Sequence, residues 1–76
     1  MADQETERLL KVIGENTQEI RKEHNLSIEE FAELCRITPE RLKKIEAGKL
    51  KRLKIIEILR AMYKLNVPAE AILSNT

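Results

Sequence analysis

Between Arg36 and Lys54 the chain carries eight basic side chains (Arg36, Arg41, Lys43, Lys44, Lys49, Lys51, Arg52 and Lys54) against two carboxylates, Glu40 and Glu46. Cations at this density suit a polyanion. Ammonium and guanidinium groups release the counterions condensed on phosphates, and both can donate to guanine O6 and N7. The net charge of the 76-residue chain is only +1. That total hides a segregation, because residues 1–35 hold four Lys/Arg against nine Asp/Glu, whereas residues 36–64 hold ten against three. A solvated, lysine-rich helix face accounts for Lys11 and Lys22. It accounts less well for the crowding after Arg36, and asymmetry of this kind points to a polyanionic partner.

Other chemistry is sparse. His24 is the only histidine and Cys35 the only cysteine, with no ligand cluster around either, so no metal site is expected. The carboxylates of the first half sit at the spacings of a solvated face, and no Gly-rich phosphate loop or catalytic serine motif occurs. The expectation is a protein with no cofactor and no enzymatic activity. A single cysteine cannot form an internal disulfide, which favours a reducing, cytoplasmic setting. No apolar run approaches a membrane span, and the opening MADQETER is too acidic and polar for a signal peptide.

The elements that must position the basic residues are legible from their caps. Ser27 and Glu30 form an S-x-x-E capping box at the start of a helix whose apolar face is Phe31, Ala32, Leu34 and Cys35. Thr38 caps a second helix with Pro39 at its first position, where the missing N–H is not needed. Leu42 and Ile45 bury that helix, and Gly48 ends it. Only Arg36, Ile37 and Thr38 separate the two, which is the spacing of a helix-turn-helix.

On either side the pattern is also helical. Asp3 to His24 reads as a long first helix with Leu9, Ile13, Ile20 and His24 at 3-to-4 spacing, and Gly14 in its interior costs about 1 kcal/mol relative to alanine, inviting a bend. Asn25 is its expected stop. After Gly48, KLKRLK offers no capping residue, so the start of the next helix is poorly fixed until Ile55. That helix runs to Lys64 or Leu65 and is apolar around much of its circumference (Ile55, Ile56, Ile58, Leu59, Met62 and Tyr63), which implies cover on more than one side. Asn66 stops it, and Pro68 opens a last short helix bearing Ala69, Ile72 and Leu73.

The segments IGEN at 13–16, IRKE at 20–23, NLSIEEFAELCRIT at 25–38, IEAGK at 45–49 and the closing KLNVPAEAIL together resemble the lambda-repressor-like helix-turn-helix domains of phage repressors, Cro proteins and Xre-type regulators. The resemblance spans about residues 13–73. It implies an all-α, compact five-helix domain with the helix-turn-helix at its second and third helices, within a single domain of residues 1–76 whose residues 1–12 form a helical extension prone to fray. It implies that the third helix, residues 39–47, enters the DNA major groove, and that two subunits act together on a palindromic operator. Thr38, Pro39, Glu40, Arg41, Lys43 and Lys44 are then the candidates for base contact, with 38, 40, 41 and 44 near one exposed face. Ser27, Lys49, Lys51, Arg52 and Lys54 are the candidates for phosphate contact. By the same resemblance, Arg21 and Glu46 occupy the positions of a buried ion pair with a structural role.

Several residues depart from the family pattern. Ile28 stands where a phosphate-contacting glutamine is common, Arg36 where the turn usually has glycine, and Ala47 where asparagine often follows the helix-3 glutamate. Pro39 offers no donor, and Glu40 accepts only from an exposed donor such as cytosine N4. The expected function is a sequence-specific DNA-binding transcriptional regulator, a repressor acting as a homodimer through apolar surface such as Tyr63 and Ile72, with double-stranded DNA as its partner. The alternative is the same fold used as a protein-interaction module, antitoxin-like or an adaptor with weak or no DNA binding, favoured by Ile28, Pro39 and Glu40 and by the exposed apolar candidates Leu50, Leu53 and Tyr63.

Overall fold

Helices form where the caps and apolar spacings place them, in the order α1 (Gln4–Glu23), α2 (Ile28–Cys35), α3 (Pro39–Glu46) and α4 (Ile55–Lys64), followed by a short 3-10 segment, Ala69–Leu73. This architecture is seen in a computed structural model that describes residues 4–50 and 52–74. Asp3, the expected start of the first helix, and Lys51 lie outside the described residues. No strand occurs among those described.

Among the described residues four α-helices are present rather than the five expected. The fifth is a 3-10 segment because its span is too short to nucleate an α-helix. Pro68, with extended backbone at φ −60° and ψ 141°, stands before it, and only five residues precede the chain's return to extended backbone at Ser74. The segment is fastened from outside. The buried Asn16 amide of α1 donates to the carbonyl oxygens of Ile72 and Ser74, each at 2.8 Å. Sequence reasoning missed this role, since nothing local distinguishes Asn16 from a surface asparagine.

The core gathers one face from each helix: Ile20, Phe31, Ala32, Cys35, Leu42, Ile45, Ile58, Ala61, Met62 and Ile72. Ile72 is 4% exposed and therefore belongs to the core, not to a surface available to a second subunit. Leu50 and Leu53 also pack against the core, so they anchor their loop instead of offering an exposed apolar surface. On α4 the core covers one of the two apolar sides for which cover was expected. Ile58, Ala61 and Met62 are buried, while Ile55, Ile56 and Tyr63 remain exposed, Tyr63 at 84%.

Each α-helix ends the same way. Asn25, Arg36, Gly48 and Asn66 all take left-handed backbone, with φ of 56°, 62°, 72° and 58°. In each case the following N–H reaches back to a carbonyl five residues earlier: Leu26 to Arg21, Ile37 to Ala32, Lys49 to Lys44 and Val67 to Met62, at 2.9 to 3.1 Å. These are Schellman closures, which satisfy otherwise free helix-end carbonyls. Arg36 thus adopts the glycine-like conformation despite its Cβ, at a cost of about 1–2 kcal/mol. The turn keeps the shape a glycine would give it and carries the strain.

α1 runs through Gly14 without a break, and the reason for the glycine is tertiary. A Cβ built on Gly14 would collide with the Ile45 carbonyl oxygen and lie 2.8 Å from that of Glu46. One on Gly48 would lie 2.9 Å from the Lys11 Cα. The end of α3 therefore rests on the backbone of α1 at both glycines. Replacing Gly14 by alanine is expected to lower stability by about 2 kcal/mol, since a clash with backbone puts the overpacking penalty near the upper end of the usual 1–3 kcal/mol, against roughly 1 kcal/mol gained in helix propensity. Urea denaturation checks this, and a stabilised variant would show that the two backbones separate at little cost.

Candidate nucleic-acid interface

The candidate site is built on α3, and its geometry follows from how that helix is seated. At about 100° per residue, Leu42 and Ile45 point into the core, where they are 0% and 2% exposed. Arg41 and Glu46 fall on the two borders of that buried strip. Both borders are fastened by ion pairs. On one side the Arg21 guanidinium of α1 grips Glu46, Nε donating to Oε2 at 2.8 Å and a terminal nitrogen to Oε1 at 3.1 Å. The third arm of Arg21 donates to the Leu26 carbonyl at 3.0 Å. With side chains only 12% and 5% exposed, the pair links the end of α1, the α1–α2 turn and the end of α3. The hydrogen bonds from Arg21 to Glu46 raise the arginine's affinity for its proton further above its already high ordinary value.

On the opposite border Arg41 Nε donates to both carboxylate oxygens of Glu57 at 3.0 and 3.2 Å, and a terminal nitrogen donates to the Arg52 carbonyl at 3.3 Å. This departs from the expectation that Arg41 shares an open face with Glu40 and Lys44. It is half-buried because Glu57, in the first turn of α4, lies against it. Glu57 is 16 residues away in sequence, and no local spacing reveals such a partner.

What α3 leaves open is an arc of about 100° formed by Glu40, Lys43, Lys44 and Ala47, all exposed. Thr38 is at its rim as the N-cap, its hydroxyl accepting from the Arg41 N–H at 3.1 Å, and Pro39 holds the first helical position half-buried. Lys49, Arg52 and Lys54 are exposed on the following loop, which Leu50 and Leu53 tie to the core. An open cleft joins the two regions, lined by Arg36, Ile37, Thr38, Arg41, Arg52, Lys54 and Glu57.

Ser27 is exposed at the start of α2, but it is engaged in the capping box. Its hydroxyl accepts from the Glu30 N–H at 3.0 Å, and its own N–H donates to the Glu30 carboxylate at 2.8 Å. The hydrogen bond from the Ser27 backbone, then that from its side chain, holds the Glu30 carboxyl below its ordinary value. An anion at this helix N-terminus already occupies the place a phosphate would take. Ile28, at the departure from the family glutamine, packs half-buried against the core.

Cys35 is fully buried, and burial, aided by the negative charge of Glu57, pushes its thiol up to about 12. Among the described residues no group of three or more His, Cys, Asp or Glu side chains is placed to hold a metal ion, and no helix is long and apolar enough to cross a membrane.

A family model for helix-turn-helix domains of the lambda-repressor/Xre type matches residues 18–71. The chain belongs to that helix-turn-helix family. The family is one of DNA-binding regulatory domains. A search of curated proteins returned no match.

Two predictions follow from how this helix-turn-helix domain is fastened. Arg21→Met leaves the Glu46 carboxylate buried without a partner and is expected to cost about 3 kcal/mol. The double variant Arg21→Met/Glu46→Leu is expected to cost less than that single change, and chemical denaturation of both checks the order. Cys35 is expected to resist maleimide at pH 8 except as fast as the molecule unfolds. Because the folded thiol titrates above the unfolded one, its contribution to stability is full below pH 9 and is lost as pH rises from 9 toward 12. Rapid native labelling would contradict the burial.

Proposed function

We propose that this helix-turn-helix protein is a sequence-specific DNA-binding transcriptional regulator of the cytoplasm, acting as a repressor by occupying its site. The observation that carries the proposal is the exposed arc of α3 beside an anchored basic loop. An eight-residue helix is about 12 Å long and suits a major groove about 12 Å wide. Within the arc, Lys43 and Lys44 donate to guanine O6 or N7, and Glu40 accepts from cytosine N4. The reading therefore favours G·C pairs, with Thr38 and Pro39 closing the rim. Lys49, Lys51, Arg52 and Lys54 neutralise phosphates and fix the register of the helix on the duplex. Ser27 stands as the weakest phosphate contact, because Glu30 competes for the same helix end.

The exposed strip Ile55, Ile56 and Tyr63 on α4, with exposed Leu73 at the end of the 3-10 segment, supplies apolar surface for a second copy of the chain. Two subunits then present their α3 helices about 34 Å apart to the halves of a palindrome. The same strip, with Glu40 on the exposed arc, favours the second reading, a protein-interaction module with weak or no DNA binding.

Selection from a random duplex pool, followed by binding at rising salt, separates the readings. The expected result is an enriched, symmetric site with G·C pairs in each half. Lys44→Ala is expected to relax one guanine position at a loss of about 1–3 kcal/mol, and Lys49→Ala to flatten the salt slope by about 0.9 without changing the consensus. Absence of enrichment together with salt-independent behaviour would favour the protein-interaction module.

A further inference from the structure

We propose that Arg41 is a positioning residue, not a base reader: its guanidinium clamps the start of α3 to α4 and to the basic loop. The inference rests on the DNA-binding reading above. Three elements meet at this one side chain. Arg41 belongs to α3, Glu57 to α4, and the Arg52 carbonyl to the loop between them. The side chains of Arg41 and Glu57 are 30% and 13% exposed. For Arg41 to reach a guanine it must leave Glu57, and that carboxylate then stays largely buried without its cation, an unfavourable exchange.

The contact to the Arg52 carbonyl gives the clamp its functional consequence. Arg52 and Lys54 are exposed, while the loop that bears them is held to the core by Leu50 and Leu53. Arg41 adds a tie from the recognition helix itself, so the spacing between the base-reading arc and the phosphate-binding cations is set through this guanidinium. Guanidinium geometry matters here, since Nε and one terminal nitrogen both face the Glu57 carboxylate, the latter at 3.0 Å, while that same terminal nitrogen reaches the Arg52 carbonyl at 3.3 Å, in a rigid fork that lysine lacks. Loss of the clamp weakens binding to all duplexes alike, whereas loss of a base reader changes which duplex is preferred.

The test uses the full chain with Arg41→Met, Glu57→Gln and the double variant. In the free protein, backbone 15N order parameters of Leu53 and Lys54 are expected to fall from about 0.85 to below about 0.6 in each single variant, with no further fall in the double, as a shared interaction requires. Selection from a random duplex pool is expected to return the same consensus for the parent chain and Arg41→Met, with affinity lower by about tenfold, the loss of one or two phosphate contacts. Loss of a guanine preference in Arg41→Met, tighter binding by Glu57→Gln through a freed Arg41, or unchanged order parameters would each overturn the proposal. If the parent chain enriches no duplex, the DNA-binding reading fails, and the order parameters still decide whether the clamp exists. Should Arg41→Met fail to fold, Glu57→Gln, which preserves shape, carries the same measurements.

Discussion

The seat of α3 on α1 is the constraint on which the rest depends. Two backbones can approach this closely only where side chains are missing, and Gly14 and Gly48 supply those two places. The Arg21–Glu46 pair then fixes rotation about the contact, because a bidentate guanidinium has one favourable orientation relative to its carboxylate. Close approach without the pair would leave the roll of α3 to Leu42 and Ile45 in the core and to the Arg41–Glu57 contact. The pair without the glycines would hold the helices too far apart for the fork to close. Together they set which residues of α3 face water.

Fastening the helix on its other border, at Arg41 and Glu57, completes the constraint. A short helix between two ion pairs cannot present an arbitrary face. Its exposed arc is what remains after the core strip and both borders are subtracted. The helix ends contribute in the same sense. Four left-handed closures turn the chain sharply, and three are followed by apolar residues, Leu26, Ile37 and Val67, that pack on the core. Each closure thereby hands the chain to the next element at a fixed angle.

Much of this was legible because it is local. The capping box of Ser27 and Glu30, the cap at Thr38, Pro39 at the first helical position and the stops at Asn25, Gly48 and Asn66 all involve residues within one turn of each other. Their spacing in sequence is their spacing in space. What could not be read joins distant segments: Asn16 to the 3-10 segment, Gly14 to the end of α3, and Arg41 to Glu57. Gly14 is the instructive case, since helix propensity alone marks it as a weak point, whereas packing makes a larger residue worse. Arg41 is the counterpart within the site. Helical periodicity puts it at the edge of the exposed face, and only a carboxylate arriving from α4 decides on which side of that edge it lies. Ile72 likewise turns inward because Asn16 of α1 holds the carbonyls of Ile72 and Ser74 and draws that side of the 3-10 segment onto the core.

A net charge of +1 looks poorly matched to a polyanion, and the ion pairs explain why it is not. Of the three carboxylates between residues 36 and 64, Glu46 is paired with Arg21 and Glu57 with Arg41, so neither opposes the exposed lysines at close range. Glu40 is left as the acidic group on the open arc. Among the described residues the other carboxylates belong to α1, α2 and, as Glu70, the 3-10 segment, and at physiological ionic strength exposed charges are largely screened beyond about 8 Å. A phosphate therefore responds to Lys43, Lys44, Lys49, Arg52 and Lys54 more than to the chain total. The acidic first turn of α2, with Glu29 and Glu30, acts at short range as well. It disfavours phosphate there, which shifts the electrostatic footing of the helix-turn-helix toward the loop after α3. Two of the chain's arginines are thus spent inside the molecule, and lysines carry most of its outward charge.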